Sequence, residues 1–537
     1  MKTRALGIVG LLLVATSAVA CGGADEGSGA PAPAPAATES TGNGEQGAPS
    51  AASFELEANA EAIVRRTGGG NLAVRVKGGA AVAIEIDGLP AGISAKAPSI
   101  AAGASEATIP FSFAGDAPAF GDHTIKVRGR NGDVVREVTA KLIIADDPGA
   151  FDTTFGSKGL ASGAANSSNK SFAIDPQGRT YVTGADTSGK AFVARYTAAG
   201  VLDDTFDGDG RALVSFDPVL PTSLFSVVVG KPGEVFVAGA RWGASGKAMP
   251  CIAKLDESGK LGGNFGMGGA GIACFSHAEL GDTAFILSAL HRDDGSLVVA
   301  AACGAADMPD TCVFHVAAIG ELDDAFGTNG LVRKKLPNYE IPWQMRFDGE
   351  GRIVVGGVTT GASKQGAYVM RLTKDGEVDP WFGDTGYVTI GTGGMAAVLQ
   401  GIAIGSKNEI YVAGGVADAT SVPAIFALEP EKGAPLTSFG QAGTKTYPDL
   451  GNGYFTALAW DEGKLVLGGT RKAKMNNEAC ALRVSSVDGA VDHTFANGAL
   501  SLPLGEDVRT IFAAPSSRAV MLLNVPFGGF AVARTWR

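Results

Sequence analysis

Leu202-Asp203-Asp204-Thr205-Phe206-Asp207-Gly208-Asp209-Gly210 is one of seven passages in this chain built around a phenylalanine and a tight turn. The others centre on Phe155-Gly156, Phe265-Gly266, Phe326-Gly327, Phe382-Gly383, Phe439-Gly440 and Phe495-Ala496. Successive phenylalanines stand 51, 59, 61, 56, 57 and 56 residues apart. A near-constant spacing of this size marks a repeat architecture, in which each unit buries its apolar face only against its neighbours.

Working outward, each repeat carries a second motif: an apolar strand, a tight turn, then a strand ending in small residues. Gly178-Arg179-Thr180-Tyr181-Val182-Thr183-Gly184 and Gly351-Arg352-Ile353-Val354-Val355-Gly356-Gly357 are two examples. Small residues at that end let strands crowd together. A third strand follows, centred on Arg195, Lys254, His315, Arg371, Ala427, Arg483 and Arg534, and a fourth comes after each Phe turn. Four short strands per unit, with no helix between units, predict an all-β chain whose main domain is a seven-bladed β-propeller. The repeat region opens on a fourth strand, after Phe155, and ends on a third, through Arg537. That offset predicts a ring closed by the N-terminal strand, which removes exposed edges.

These passages resemble the delta-60 repeat of bacterial exported proteins, with its D-x-x-F-G-x-x-G turn and D-G hairpin, over residues 151–537. Asp207 after Phe206, Ala496 after Phe495 and the seventh hairpin, Ser516-Ser517, depart from the pattern. The resemblance implies a propeller. It lends no catalytic residues, because the family has no established common activity.

Ahead of the repeats, residues 51–147 alternate apolar and polar residues with period two: Leu72-Val74-Val76, Val82-Ile84-Ile86, Ile109-Phe111-Phe113, Ile125-Val127 and Val138 through Ile144. Gly78-Gly79, Asp87-Gly88 and Asn131-Gly132 separate them, which predicts a small antiparallel sandwich resembling bacterial Ig-like domains. Residues 21–50 are rich in Gly, Ala, Pro and Ser and lack the apolar residues that offset ordering entropy, so a disordered tether is expected. Residues 1–20 read as a signal peptide: Lys2 and Arg4 precede an apolar stretch ending in Ala18-Val19-Ala20-Cys21. That tetrapeptide resembles a lipobox, with Ala18 where Leu is usual, which implies lipidation of Cys21 and a membrane contact through lipid alone. Gly22 at the next position resembles outer-membrane sorting, so an outer-membrane or cell-surface lipoprotein is expected, with a periplasmic or secreted protein as the alternative.

Net charge is −11, and no basic run occurs. Phosphate neutralisation supplies most of the affinity for nucleic acid, so no nucleic-acid partner is expected. Among the five His there is neither H-E-x-x-H nor i,i+4 ligand spacing, and no G-x-S-x-G elbow occurs. The expectation is therefore no catalytic residue and no enzyme. Asp203, Asp207 and Asp209 cluster on a Gly turn, a chemistry that suits Ca2+, but one repeat alone shows it and turn chemistry is the favoured reading. No cofactor is expected. Cys303 and Cys312 flank a hairpin, and Cys251 and Cys274 lie on neighbouring strands, so each pair predicts a disulfide; Cys480 is left over.

Comparing repeats within the chain, the hairpins and Phe turns are stereotyped, whereas the second-to-third and fourth-to-first connections vary and share one face. Arg241, Trp242, His277, Tyr339, Trp343, Tyr454, Phe455 and Arg471 are the candidate ligand-face residues, with Lys472, Lys474 and Phe527 beside them. Loops on a rigid scaffold carry function, and aromatics with Arg are common interface anchors. The leading expectation is a monomeric envelope protein that binds a protein or glycan through this face. An exported lyase or hydrolase working at the channel, and a purely structural protein, are the alternatives.

Overall fold

The computed structural model describes residues 53–537 apart from 116–118, 164–167, 187, 244–245, 336–338, 361–364, 384, 391–395, 418–420, 474–475, 503 and 527–528. The leader, Cys21, the tether, Lys474 and Phe527 lie outside the described residues. The described chain is all-β, interrupted only by four single-turn 3-10 segments. No helix among the described residues is long and apolar enough to cross a membrane.

The chain forms two compact units. One comprises Phe155–Ala514 and Ala519–Arg534; the other comprises 53–154 with Pro515–Arg518 and Thr535–Arg537. In the first unit each repeat folds into one four-stranded antiparallel sheet, and the repeats give seven such sheets among the described residues. Their first strands are Ser168–Ile174, Thr222–Val229, Thr283–His291, Tyr339–Phe347, Ala396–Ile404, Gly453–Asp461 and Asp507–Ala514. Each first strand abuts the next, and Asp507–Ala514 returns to Ser168–Ile174. The fourth strand of the seventh sheet is Leu160–Ser162, paired with Ala533 through Ala531. This is the closure that the phase of the repeat predicts.

Sheets stacked on both faces need strands apolar on both sides, and Leu297–Ala305 is buried at every position but its last. Six of the first strands bulge near their middles. A bulge leaves local backbone groups without ladder partners. In three of these strands the amide just beyond the bulge is satisfied from the preceding sheet. Val227 donates to Ser171 Oγ at 3.2 Å and Met345 to Ser288 Oγ at 3.1 Å. Ile402 donates in the same way to Gln344 Oε1. Buried polar side chains thus link the first sheet to the second, the third to the fourth and the fourth to the fifth.

The Phe turns have a related logic. Arg195 Nε donates to Asp203 at 2.7 Å, its guanidinium lies 4.7 Å over Phe206, and Nη1 reaches the carbonyl of Glu257 in the next sheet. Arg371 repeats this with Asp379, Phe382 and the carbonyls of Pro430 and Glu431. Arg483 does so with Asp492 and Phe495. His315 takes the same place, joining Asp323 through Nδ1 at 2.8 Å and Ser296 Oγ through Nε2 at 2.7 Å. In these four repeats the signature is a clamp of base, aromatic ring and carboxylate.

Three of these carboxylates, Asp203, Asp323 and Asp492, sit below the ordinary range. For Asp323 the His315 hydrogen bond is the main cause. For Asp492 burial acts in the opposite direction and is outweighed by Lys464, Thr494 and Arg483. A carboxylate depressed in the folded state stabilises above its unfolded value and loses that contribution as pH falls toward the folded one. Urea midpoints measured from neutral pH downward should hold until about pH 4, near the unfolded carboxylate value, and fall below it.

In the second unit two sheets share one core containing Val64, Leu72, Val74, Ile109, Phe111, Ile125, Val127 and Leu142. The alternating runs are strands as predicted, but Glu55–Ala58 and Glu61–Arg65 are additional. The wholly antiparallel expectation is corrected: Glu61–Arg65 runs parallel to 141–145. Trp536, at the end of the chain, is buried against Ile143 and Ala145.

Candidate functional site: a cleft on the variable-loop face

In an antiparallel order of four strands, the second-to-third and fourth-to-first connections emerge at the same end of every sheet. At that end, between the second and third sheets, lies a cleft of about 450 Å3. The second sheet contributes Val235–Trp242 and Ala248–Leu255, and the fourth-to-first connection 275–282 closes the cleft before Thr283–His291 begins. Its floor is apolar, formed by Met249, Pro250, Phe275 and Leu280, and its rim carries Arg241, Lys247, His277 and Asp282.

Each rim group is held. Arg241 Nη1 lies 3.1 Å from Asp217 Oδ2, and Nη2 is 3.2 Å from Met249 Sδ. The amides of Val219 and Leu220, then Arg241, keep the Asp217 carboxyl below its usual range. Lys247 Nζ is 3.0 Å from Asp282 Oδ1, and both side chains are exposed. His277 caps the turn Ala278–Leu280, its Nδ1 accepting the Glu279 amide at 3.1 Å. An imidazole whose Nδ1 accepts carries its proton on Nε2 when neutral, so the remaining edge is a donor. The cleft therefore combines an apolar floor, two cations and an imidazole donor.

The eight sequence candidates separate. Arg241 and His277 meet in the cleft. Trp242 is half-buried, its Nε1 donating to Ser223 Oγ at 3.1 Å and its ring 5.8 Å from Phe285. Tyr339 packs on the same apolar cluster, and burial pushes its phenol up. Two expectations are corrected. Trp343 is 8% exposed inside that cluster, and Phe455 is 0% exposed, edge-on to Tyr447 at 5.5 Å. Neither presents a face to a ligand. Tyr454 is half-buried, and Arg471 is tied to Glu478 at 3.3 Å; both lie on the sixth sheet, away from the cleft. Sequence reading missed Lys247 and Asp282, although they occupy the same variable connections that singled out Arg241 and His277.

Both disulfides form as predicted: Cys251–Cys274 joins the third and fourth strands of the second sheet, and Cys303–Cys312 joins the second and third strands of the third. Such bonds persist in oxidising compartments outside the cytosol. Cys480 is free and buried, and burial pushes its thiol up to about 11. The candidate calcium ligands diverge. Asp203 faces Arg195, Asp207 pairs with Lys260, and Asp209 accepts the Arg211 amide at 2.9 Å. Among the described residues no three His, Cys, Asp or Glu side chains are grouped to hold a metal.

A family model described as a β-propeller domain of unknown function, DUF5122, matches residues 351–382, which run from the second strand of the fourth sheet to its Phe turn. Comparison with curated proteins finds no match. Among solved structures, a PL25 ulvan lyase bound to -[GlcA(1-4)Rha3S]- is similar at 12% identity and a TM-score of 0.43, over 70% of this chain and 95% of that one. A Hadza microbial sialidase is similar at 10% identity and a TM-score of 0.38, over 81% and 77%. An arabinanase of Bacillus subtilis follows at 11% and 0.25, over 45% and 91%. Likenesses this distant carry no argument about substrate or reaction. They do overturn one expectation, that the chain is not an enzyme: the structures it resembles include a lyase, a sialidase and an arabinanase, so missing familiar motifs give no ground for excluding catalysis.

Proposed function

We propose that this chain is an exported, carbohydrate-directed protein that engages an acidic glycan in the variable-face cleft. In this reading the first unit is a seven-bladed propeller of delta-60-type repeats. Residues 51–147 are an Ig-like spacer, and Cys21 carries a lipid anchor beyond the 21–50 tether. The observation that carries the proposal is the cleft itself: Arg241, Lys247 and His277 ring a floor of Met249, Pro250, Phe275 and Leu280. A sugar ring offers an apolar face to such a floor, while a carboxylate or sulfate on it competes with Asp217 and Asp282 for the two cations. Arg gives such an anion planar, two-point recognition. The volume falls in the range of small-ligand sites.

A second reading, cleavage of the bound glycan, is favoured by His277. Its Nε2–H stands on the same rim as cations able to neutralise an anion, which suits the acid of either step. It protonates the departing glycosidic oxygen, while the proton a lyase takes from the sugar, or a hydrolase from its attacking water, goes to solvent.

The test presents the full exported chain with polygalacturonate, a sulfated glycan and a neutral glucan. Arg241→Ala and Lys247→Ala should each weaken acidic-glycan binding by roughly 10–100-fold and leave the glucan unchanged, the range for hydrogen bonds to charged groups. New reducing ends or unsaturated uronates that vanish in His277→Ala would establish cleavage. Equal binding of acidic and neutral glycans, unmoved by either substitution, would remove the cleft from consideration. The same preparation, weighed intact, should carry a diacylglycerol-sized increment on Cys21.

A further inference from the structure

We infer that the two disulfides are positioning devices for the cleft loop 275–282, and not general staples of the ring. The functional consequence rests on the glycan reading above; the geometry does not.

Among the described residues, disulfides occur only in the second and third sheets. Those are the two sheets that bound the cleft. The loop starts on one bridge. Cys274 ends its strand directly opposite Cys251, and the next residue, Phe275, donates its amide to Pro250 O at 2.9 Å. The loop then rests on the other bridge. Phe275 and Leu280 are buried in the same cluster as Cys303 and Cys312. Cys312 Sγ lies 4.0 Å from the carbonyl of Glu279. Arg333 donates to that same carbonyl at 2.8 Å while its guanidinium is fixed on Asp310 at 2.6 Å, between the two half-cystines. Gly281 has φ 71°, and a Cβ there would stand 2.7 Å from Gly304 Cα, beside Cys303. The loop leaves through Thr283 and Ala284, which pair with Gly304 and Cys303.

Both ends of the loop and its middle thus meet a bridge or a residue beside one. Between them stand His277, which caps the turn, and Asp282, which holds Lys247. A loop already ordered when the ligand arrives spares the ordering cost that weakens binding. Each bridge joins two strands of a single sheet, so neither staples one sheet of the ring to the next, and the fifth sheet coheres with neither bridge nor clamp.

The experiment is amide hydrogen exchange on the full chain and on the double variant Cys303→Ser, Cys312→Ser. Exchange over 277–283 should rise by roughly tenfold or more, with the first strands of the fifth and sixth sheets unchanged, because local opening is graded across a structure. Polygalacturonate affinity should fall in step. A rise shared by all sheets would make the bridges general staples and overturn the inference, as would an unchanged loop. Should the variant not fold, reducing the folded wild-type chain at Cys251–Cys274, where Cys274 is exposed, provides the same reading at the other end of the loop. Faster loop exchange in a chain that never binds polygalacturonate would overturn the glycan reading and leave the positioning role standing.

Discussion

Arg371→Ala should lower the free energy of unfolding by about 3–5 kcal/mol, the cost of breaking a buried ion pair from one side. The Arg371 side chain is 2% exposed and makes three kinds of contact. Its Nε donates to Asp379 at 2.8 Å, its guanidinium lies 4.6 Å over Phe382, and it donates to the carbonyls of Pro430 and Glu431 in the next sheet. Truncation leaves a buried carboxylate without its cation and two carbonyls without a donor. The penalty is mostly the desolvation of what remains, so removing both partners is gentler. Arg371→Met with Asp379→Ala should lose less than Arg371→Ala alone when urea midpoints are compared. The fifth sheet has already made that double replacement: Ala427 stands at the cation position and Leu436 at the carboxylate position, and its Phe439 turn still forms. Equal losses for the single and double variants would mean that packing on Phe382, and not charge, dominates the clamp.

Phe155→Ala should cost a comparable 3–5 kcal/mol, the usual range for truncating a buried Phe. Phe155 is 1% exposed and shares a cluster with Phe172, Val182, Phe192, Leu522 and Val532, drawn from the first and seventh sheets. Its cation, Arg534, lies 4.6 Å away at the other end of the chain and also donates to Ala198 O at 2.6 Å. The seam beside it is short: three ladder pairs, Leu160 to Ala533 through Ser162 to Ala531, flanked by the hydrogen bonds from Arg534 N to Gly159 O and from Gly163 N to Phe530 O. Truncation therefore removes packing where the two ends of the ring meet. The urea midpoint should drop, and limited proteolysis should release the N-terminal strand before it cuts within any other sheet. A loss below about 0.5 kcal/mol, the scale of an ordinary surface substitution, would place the cohesion of the seam elsewhere.

Which parts were legible follows from parity and distance. Tyr454 and Phe455 are adjacent in one strand, where successive side chains point to opposite faces, so one is half-buried and the next is enclosed. Reading both as ligand residues ignored that alternation. At Trp343 the parity is shifted by a bulge between Pro342 and Gln344, which no local pattern announced. The cysteine pairs were readable because repeats align their strands, placing Cys251 opposite Cys274 in register. The parallel pairing of Glu61–Arg65 with 141–145, and the burial of Trp536 on Ile143, were not readable, because each joins segments far apart in the chain.

The amino-acid sequence by itself determined the repeat, its four-strand content, the offset that closes the ring and both disulfides. These are periodic or local properties, repeated often enough to cancel the ambiguity of any one strand. The tertiary structure alone decided that Arg195, Arg371 and Arg483 clamp their Phe turns, that His315 substitutes for them, and that Arg241, Lys247, His277 and Asp282 share one cleft. Arg241 lies at the end of a strand and the other three in two different connections, one of which runs from the second sheet to the third, so the packing of those two sheets sets the distances between them.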